Sequence, residues 1–288
     1  MIIEVLSPGM LTTIQDLGRY GYGPLGVSAA GAADPVAFRL GNRIVGNPEN
    51  AAALEMTLLG GTFAFPSGAV VALTGADFDA NIPLWRPVCL DAGAVLKIGG
   101  SKTGARCYLC VRGGVGAPLF LGSASTHLLT GLGGRHIRRG DKLQIEANAT
   151  SDPIEIPRPD YLRKTLRVTK GPQDFDADAL SVLCSAAYTV TEDSNRMGLR
   201  LQGPPVEAPH DGQMISEGVS LGAIQIPSGG QPIILFVDQQ TTGGYPKIAN
   251  VITADLPSVG QLRPRDEIRF ELIGAQAARH LLRERNLP

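Results

Sequence analysis

A stretch near residue 55 of this chain recurs near residue 217, and the repetition limits the fold more than any other feature. Glu55-Met-Thr-Leu-Leu-Gly-Gly-Thr-Phe-Ala-Phe-Pro-Ser-Gly68 aligns, with one gap, to Glu217-Gly-Val-Ser-Leu-Gly-Ala-Ile-Gln-Ile-Pro-Ser-Gly229. In each copy a Pro-Ser-Gly turn precedes a second apolar run, Ala69 to Leu73 or Ile233 to Val237, and leads to an aspartate, Asp77 or Asp238. Further on, Arg138-Arg-Gly-Asp-Lys-Leu-Gln-Ile-Glu146 matches Arg263-Pro-Arg-Asp-Glu-Ile-Arg-Phe-Glu271, a turn followed by an alternating strand. Two copies at so long a spacing predict two related domains and not a solenoid.

The 36 glycines and 21 prolines among 288 residues exceed the average of about 7% and 5%. Helix interiors tolerate neither, so the excess predicts many short strands joined by tight turns. The expected domains are residues 1–155 and 161–288, joined by a proline-rich segment from Ser151 to Asp160 that favours an extended path. Few helices are expected. Asp34-Pro35 caps and opens one from Val36 to Val45, stopped by Gly46. A shorter turn should follow from Asn47-Pro48 through Ala53, and amphipathic segments run from Asp176 to Ala187 and from Ala275 to Asn286. The fold class is therefore mainly β: two small barrels with helices at their ends.

Charge excludes several functions. With 26 basic and 27 acidic side chains the net charge is −1, and no basic stripe suits nucleic acid. No 18-residue apolar run occurs, and Met-Ile-Ile-Glu at the start lacks a basic leader, so a cytoplasmic protein without a membrane partner is expected. Cys107-Tyr-Leu-Cys110 has C-x-x-C spacing, but it lies in a strand pattern, where side chains three apart face opposite ways. The four histidines, His127, His136, His210 and His280, show no metal-ligand spacing. No phosphate-binding Gly-x-x-x-x-Gly-Lys loop is present.

One segment carries most of the chemistry. The run Pro232 to Val237 empties into Asp238-Gln-Gln-Thr-Thr-Gly-Gly-Tyr-Pro-Lys247. A turn alone needs two residues; this loop offers a carboxylate, two amides, two hydroxyls, a phenol and an ammonium. Gly243-Gly244 would let the backbone take positive φ and approach a ligand. The loop is expected to be exposed at the strand end and to bind a small molecule.

Several segments resemble a known family: Thr12-Thr-Ile-Gln-Asp-Leu-Gly-Arg-Tyr-Gly21, Gly41-Asn-Arg-Ile-Val-Gly-Asn47, Leu54-Glu-Met-Thr-Leu58, Ser194-Asn-Arg-Met-Gly198, Gly222-Ala-Ile-Gln-Ile-Pro227 and Asp238 to Lys247. The family contains the biotin-dependent carboxyltransferase domain of urea carboxylase, allophanate hydrolase subunit 2 and the C component of the ATP-dependent 5-oxoprolinase. The resemblance implies two cyclophilin-like β-barrels and a subunit that opens 5-oxoproline to glutamate with A-like and B-like companions. ATP would bind on a partner or at a site shared with one, and no biotin is expected on this chain. Two alternatives stay open: a carboxyltransferase subunit moving CO2 from carboxybiotin to urea or a related amide, and a non-catalytic subunit binding a kinase-inhibitor-like partner. The chain departs from the family pattern at Gln239 and Ala124, where the resemblance leads one to expect arginine.

All these substrates share a planar amide, which needs an acceptor for N–H and a donor for C=O. Asp238 is the expected acceptor, with Tyr245 and Lys247 stabilising negative charge on oxygen as catalytic partners. Gln239, Gln240, Thr241, Thr242, Gly243 and Gly244 complete the loop as substrate-binding residues, together with Gln225 and Glu217. Arg196 either donates to a substrate carbonyl or carboxylate or closes a surface pair with Glu192 or Asp193. Gln15, Asp16 and Arg19 are further binding candidates, with an Asp16–Arg19 salt bridge as the plainer reading. Glu55 reads as structural, accepting backbone N–H groups at a strand end.

Overall fold

A computed structural model describes residues 1–284. The predicted C-terminal helix is present as Ala275–Glu284, and residues 285–286 of that prediction lie outside the described range. The chain is mainly β and divides into two compact units. One comprises Met1–Arg19 with Ala30–Pro159, and the other comprises Tyr20–Ala29 with residues 160–284. The second unit thus takes a segment from near the N-terminus, tied in where Ser28 Oγ donates to the Val237 carbonyl at 3.3 Å.

In the first unit two five-stranded sheets enclose a core. One sheet runs in the order Lys142–Gln144, Ile2–Ser7, Thr62–Phe65, Ala94–Ser101, Phe78–Ala80. The other runs Leu11–Gln15, Ala53–Thr57, Arg106–Val111, Ala69–Gly75, Val88–Leu90. Strand side chains alternate faces, so Phe63, Phe65, Leu96 and Ile98 meet Leu54, Met56, Leu73 and Leu109 in one cluster. Cys107 belongs to that cluster, while Cys110 Sγ faces the Phe38 carbonyl at 3.9 Å. The two thiols point apart, as the strand period requires. Burial pushes both well above the usual thiol range.

The second unit is a closed seven-stranded barrel. Its order is Thr165–Lys170, Lys247–Val251, Ala223–Gln225, Ile233–Leu235, Gly198–Gln202, Ala187–Val190, Glu267–Leu272, which returns to the first strand. Closure leaves no free edge.

The sequence repeat is visible in local structure. The Pro66-Ser67-Gly68 and Pro227-Ser228-Gly229 segments both turn between strands, with Gly68 and Gly230 at positive φ. The later match is closer still. Asp141 accepts the Arg138 N–H at 2.8 Å and Asp266 accepts the Arg263 N–H at 2.8 Å, and the residue before each aspartate, Gly140 or Arg265, has positive φ. Pairing then differs between the copies. Ala223–Gln225 and Ile233–Leu235 form a hairpin, whereas Thr62–Phe65 and Ala69–Gly75 enter different sheets.

Helix Pro35–Ile44 is capped as its sequence predicts: Asp34 accepts from Val36 and Ala37 N–H. The turn expected after Asn47-Pro48 is present but ends early, and Ala53 already begins a strand. Asn42 takes the Ala51 carbonyl at 2.8 Å, which removes that acceptor from any helical ladder. Helix Ala177–Ser185 falls inside its predicted span. A short helix, Leu256–Gln261, is additional to the sequence expectation. It follows buried Asp255, whose carboxylate takes the Arg167 backbone N–H at 2.8 Å and its Nε at 3.0 Å.

Candidate functional site

The loop after Ile233–Leu235 is not a free polar turn. Beyond the strand the backbone keeps pairing with the 194–198 segment: Phe236 N–H donates to the Met197 carbonyl at 2.9 Å and Asp238 N–H to the Arg196 carbonyl at 2.8 Å. That pairing delivers the Arg196 side chain to Asp238. Arg196 Nε reaches Asp238 Oδ2 at 2.9 Å and its terminal nitrogen reaches Oδ1 at 3.0 Å, a two-point charged pair. Asp238 is 4% exposed and Arg196 5%. The expectation of an exposed strand-end aspartate is therefore corrected, and so is the alternative surface pair for Arg196. The 236–238 and 196–197 backbones zip together and fold both side chains inward, and Glu192 meets Arg265 instead.

From Asp238 the chain folds back as a short ribbon. Thr242–Gly243 pairs with Glu217–Gly218, with Glu217 opposite Gly243. Val219 N–H donates to the Thr241 carbonyl and Met214 N–H to the Gly244 carbonyl. Gln239 donates to the Val219 carbonyl at 3.3 Å, while its own buried Oε1 has no partner among the described residues. Neither Gly243 nor Gly244 has positive φ, contrary to the expectation from their sequence. Gly243 is needed for space: a Cβ there would sit 2.6 Å from Gln225 Nε2.

The ribbon ends at Lys247, whose ammonium forms an ion pair with Glu217 Oε1. Lys247 is 4% exposed, yet the Glu217 side chain is 43% exposed, so the pair has one buried and one open end. Gln173, which is not among the sequence-predicted site residues, joins them. Its Nε2 donates to Glu217 Oε1 at 2.6 Å and its Oε1 accepts the Lys247 backbone N–H at 3.0 Å. The one sequence signal that points to it is the Gly171-Pro172 break just after a strand. Lys247 first, and Gln173 second, hold the Glu217 carboxyl below the usual glutamate range. Buried Gln225 donates to the Tyr245 carbonyl at 3.4 Å, and the Tyr245 side chain is exposed.

The expected constellation of Asp238, Tyr245 and Lys247 thus separates into two charged pairs. Ile233 lies opposite Gln225, which itself pairs with Lys247, whereas Gly222 N–H donates to the Leu235 carbonyl near the Asp238 exit. The geometry of the two pairs suits different tasks. Arg196–Asp238 fixes the loop, and Glu217–Lys247 joins a solvent-exposed carboxylate to a buried ammonium.

In the first unit the candidates form a separate network. Asp16 accepts from Gly18 N–H, Ser123 Oγ, Ser125 Oγ and Ala124 N–H at 2.5–2.7 Å. Arg19 donates to the Phe120 and Ser125 carbonyls and lies over the Phe120 ring. Gln15 donates to Thr13 Oγ1 and to the Thr126 carbonyl, each at 3.0 Å. All three side chains are buried. They hold the 120–126 loop, and Ala124 gives its backbone N–H to that clamp. Glu55, read as structural, accepts the Ala33 N–H at 2.8 Å and the Tyr108 hydroxyl at 2.9 Å. A groove of about 650 Å³ beside Ser67, Cys89 and Arg112 contains none of the sequence-predicted residues.

A carboxyltransferase-domain model covering its subdomains A and B matches residues 25–272. The chain belongs to the carboxyltransferase-domain family. Its relatives in that family include the 5-oxoprolinase C component of Haemophilus influenzae, 39% identical over 99% of this chain and 96% of the relative. The corresponding 5-oxoprolinase component of Escherichia coli is 37% identical over 93% of this chain and 90% of its own. The solved urea amidolyase of K. lactis superposes with a TM-score of 0.91 at 32% identity, covering 98% of this chain but 19% of that longer one. The family assignment and the mainly β fold agree with the expectation drawn from the sequence. Among the described residues no group of three or more His, Cys, Asp or Glu could hold a metal ion, and no helix is long and apolar enough to cross a membrane.

Proposed function

We propose that this carboxyltransferase-family chain is the C component of an ATP-dependent 5-oxoprolinase, acting with A-like and B-like partners. The observation that carries the reading is coverage in both directions. The chain and the Haemophilus 5-oxoprolinase component align over nearly their whole lengths, whereas the yeast urea amidolyase is matched over 17% of its length. In this reading ATP phosphorylates the lactam oxygen and ADP leaves. Water then adds to the carbonyl carbon as the C–N bond breaks to give γ-glutamyl phosphate, and a second water hydrolyses that acyl phosphate to glutamate and phosphate. The ATP site is placed on a partner subunit or shared with one; any contribution from this chain is not through a Gly-x-x-x-x-Gly-Lys loop, which it lacks.

This chain's own residues take the amide end. Lys247 stabilises negative charge growing on the carbonyl oxygen, with the Tyr245 phenol as a second donor. Glu217 holds the Lys247 side chain in place. Arg196 and Asp238 act through the loop they lock. The test is 5-oxoproline-dependent phosphate release by the co-purified subunits. The complex should turn over and the single chain should not. A Lys247→Met complex should lose at least tenfold in kcat while still assembling. Turnover by the single chain at an ordinary enzymatic rate, on the order of 1–10³ s⁻¹, overturns the proposed partner dependence.

The family model supports one rival, a carboxyltransferase subunit acting on urea or a related amide. A complex that carboxylates urea from carboxybiotin and ignores 5-oxoproline would establish the rival.

A further inference from the structure

We infer that the Lys247 backbone N–H and the Glu217 carboxylate form a recognition slot for a planar amide, and that Gln173 occupies it as an internal stand-in for the ligand. The side-chain amide of Gln173 uses both of its functions on this one pair of groups. Its C=O accepts from Lys247 N–H at 3.0 Å and its NH2 donates to Glu217 Oε1 at 2.6 Å. A lactam carries C=O and N–H side by side on one edge, in the arrangement a primary amide presents. A lactam can therefore replace the glutamine side chain bond for bond.

Three further observations fit an occupant better than a support. First, the slot is built without Gln173: Glu217 is held by Lys247 Nζ and by its ladder with Gly243. The Lys247 backbone is fixed by the barrel and by Gly171, whose N–H donates to the Ile248 carbonyl at 2.8 Å. A Cβ on Gly171 would fall 2.1 Å from the Lys247 carbonyl oxygen, so the chain needs glycine to pass this close. Second, Gln173 lies between strand Thr165–Lys170 and helix Ala177–Ser185, in a stretch that belongs to neither element. Its side chain can leave without breaking a strand or helix. Third, the Glu217 side chain is 43% exposed, which gives a small solute a route in.

The inference rests on the proposed amide chemistry only for the choice of ligand class. An occupied slot lowers apparent affinity by the fraction of molecules in which it is open, so removing the occupant should tighten binding. The experiment titrates the full chain with 2-pyrrolidinone, N-methyl-2-pyrrolidinone and 5-oxoproline, comparing wild type with Gln173→Ala and Gln173→Glu. The second variant sets a like charge against Glu217 and expels the side chain by another means, so the test survives misfolding of either variant.

Both variants should bind 2-pyrrolidinone about threefold to tenfold more tightly than wild type, and the N-methyl compound, which lacks the N–H, should gain nothing. Unchanged or weaker binding in the folded variants overturns the inference and makes Gln173 a support for Lys247. An equal gain for the N-methyl compound also overturns it, because Glu217 would then not be reading the N–H. The outcome separates from that of the proposed function. Tighter lactam binding with no 5-oxoproline turnover by the complex keeps the slot and removes the reaction. Turnover without tighter binding does the reverse.

Discussion

Asp238 shows how far a residue's role can be read before its neighbours are known. Its place at the exit of an apolar strand was legible in the sequence. Its partner was not, because Arg196 lies 42 positions away and is delivered by backbone pairing beyond the strand. The pair changes what a substitution should do. Asp238→Asn leaves a buried guanidinium without its counter-charge, a class of change that costs about 3–5 kcal/mol. Thermal or urea unfolding should show that loss, and a variant as stable as wild type would mean the pair contributes little. Arg196→Lys should also destabilise, since an ammonium cannot span both oxygens.

Glu217 supplies a pH prediction. Hydrogen bonds from Lys247 and then Gln173 hold its carboxyl below the usual glutamate range. A depressed carboxyl stabilises the fold at pH above its unfolded value, and that contribution disappears as pH falls through the lowered one. Carbon-detected NMR should find Glu217 still ionised where an ordinary glutamate is half protonated. In Lys247→Met the midpoint should move back up, and a midpoint that does not move would assign the shift elsewhere.

Strands and turns were more legible than their pairing. Period-two alternation, the Asp34-Pro35 cap and the Pro-Ser-Gly turns are local signals, and each produced the element expected. Which strand pairs with which is a non-local choice. The two copies made it differently, one as a hairpin inside a closed barrel and one across two sheets. The matched turns at 138–141 and 263–266 offer a controlled comparison. Both place a positive-φ residue before the capping aspartate, glycine at 140 and arginine at 265. Gly140→Ala meets no atom within 4 Å, so its cost is backbone strain alone, about 1 kcal/mol. Arg265→Gly removes the same strain and should stabilise by up to ~1 kcal/mol, after the greater freedom of glycine in the unfolded chain is counted. The exposed Arg265–Glu192 pair lost with it is worth little. Opposite signs in the two melting shifts would confirm that the turns are equivalent; equal signs would dissolve the equivalence.

For the whole molecule, the sequence conveyed two β-rich units and the family, because a repeat and a set of motifs survive without coordinates. It did not convey that Tyr20–Ala29 belongs with the second unit, since nothing in those glycine-rich residues names their neighbours. The cut suggested by sequence, between residues 155 and 161, therefore yields a C-terminal fragment lacking part of its own packing. A 161–288 fragment should melt below the corresponding transition of the intact chain and gain stability when a 20–29 peptide is added. Indifference to the peptide would show the segment to be dispensable. The same threading sets a timetable on the ribosome. Residues 20–29 emerge more than a hundred residues before the strands they join, which at about 5–20 residues per second is on the order of ten seconds. For that interval the nascent chain can complete its first unit but must keep a glycine-rich loop uncommitted. The many glycines between Gly18 and Gly31 suit a segment that has to wait unpaired without sticking to the wrong neighbour.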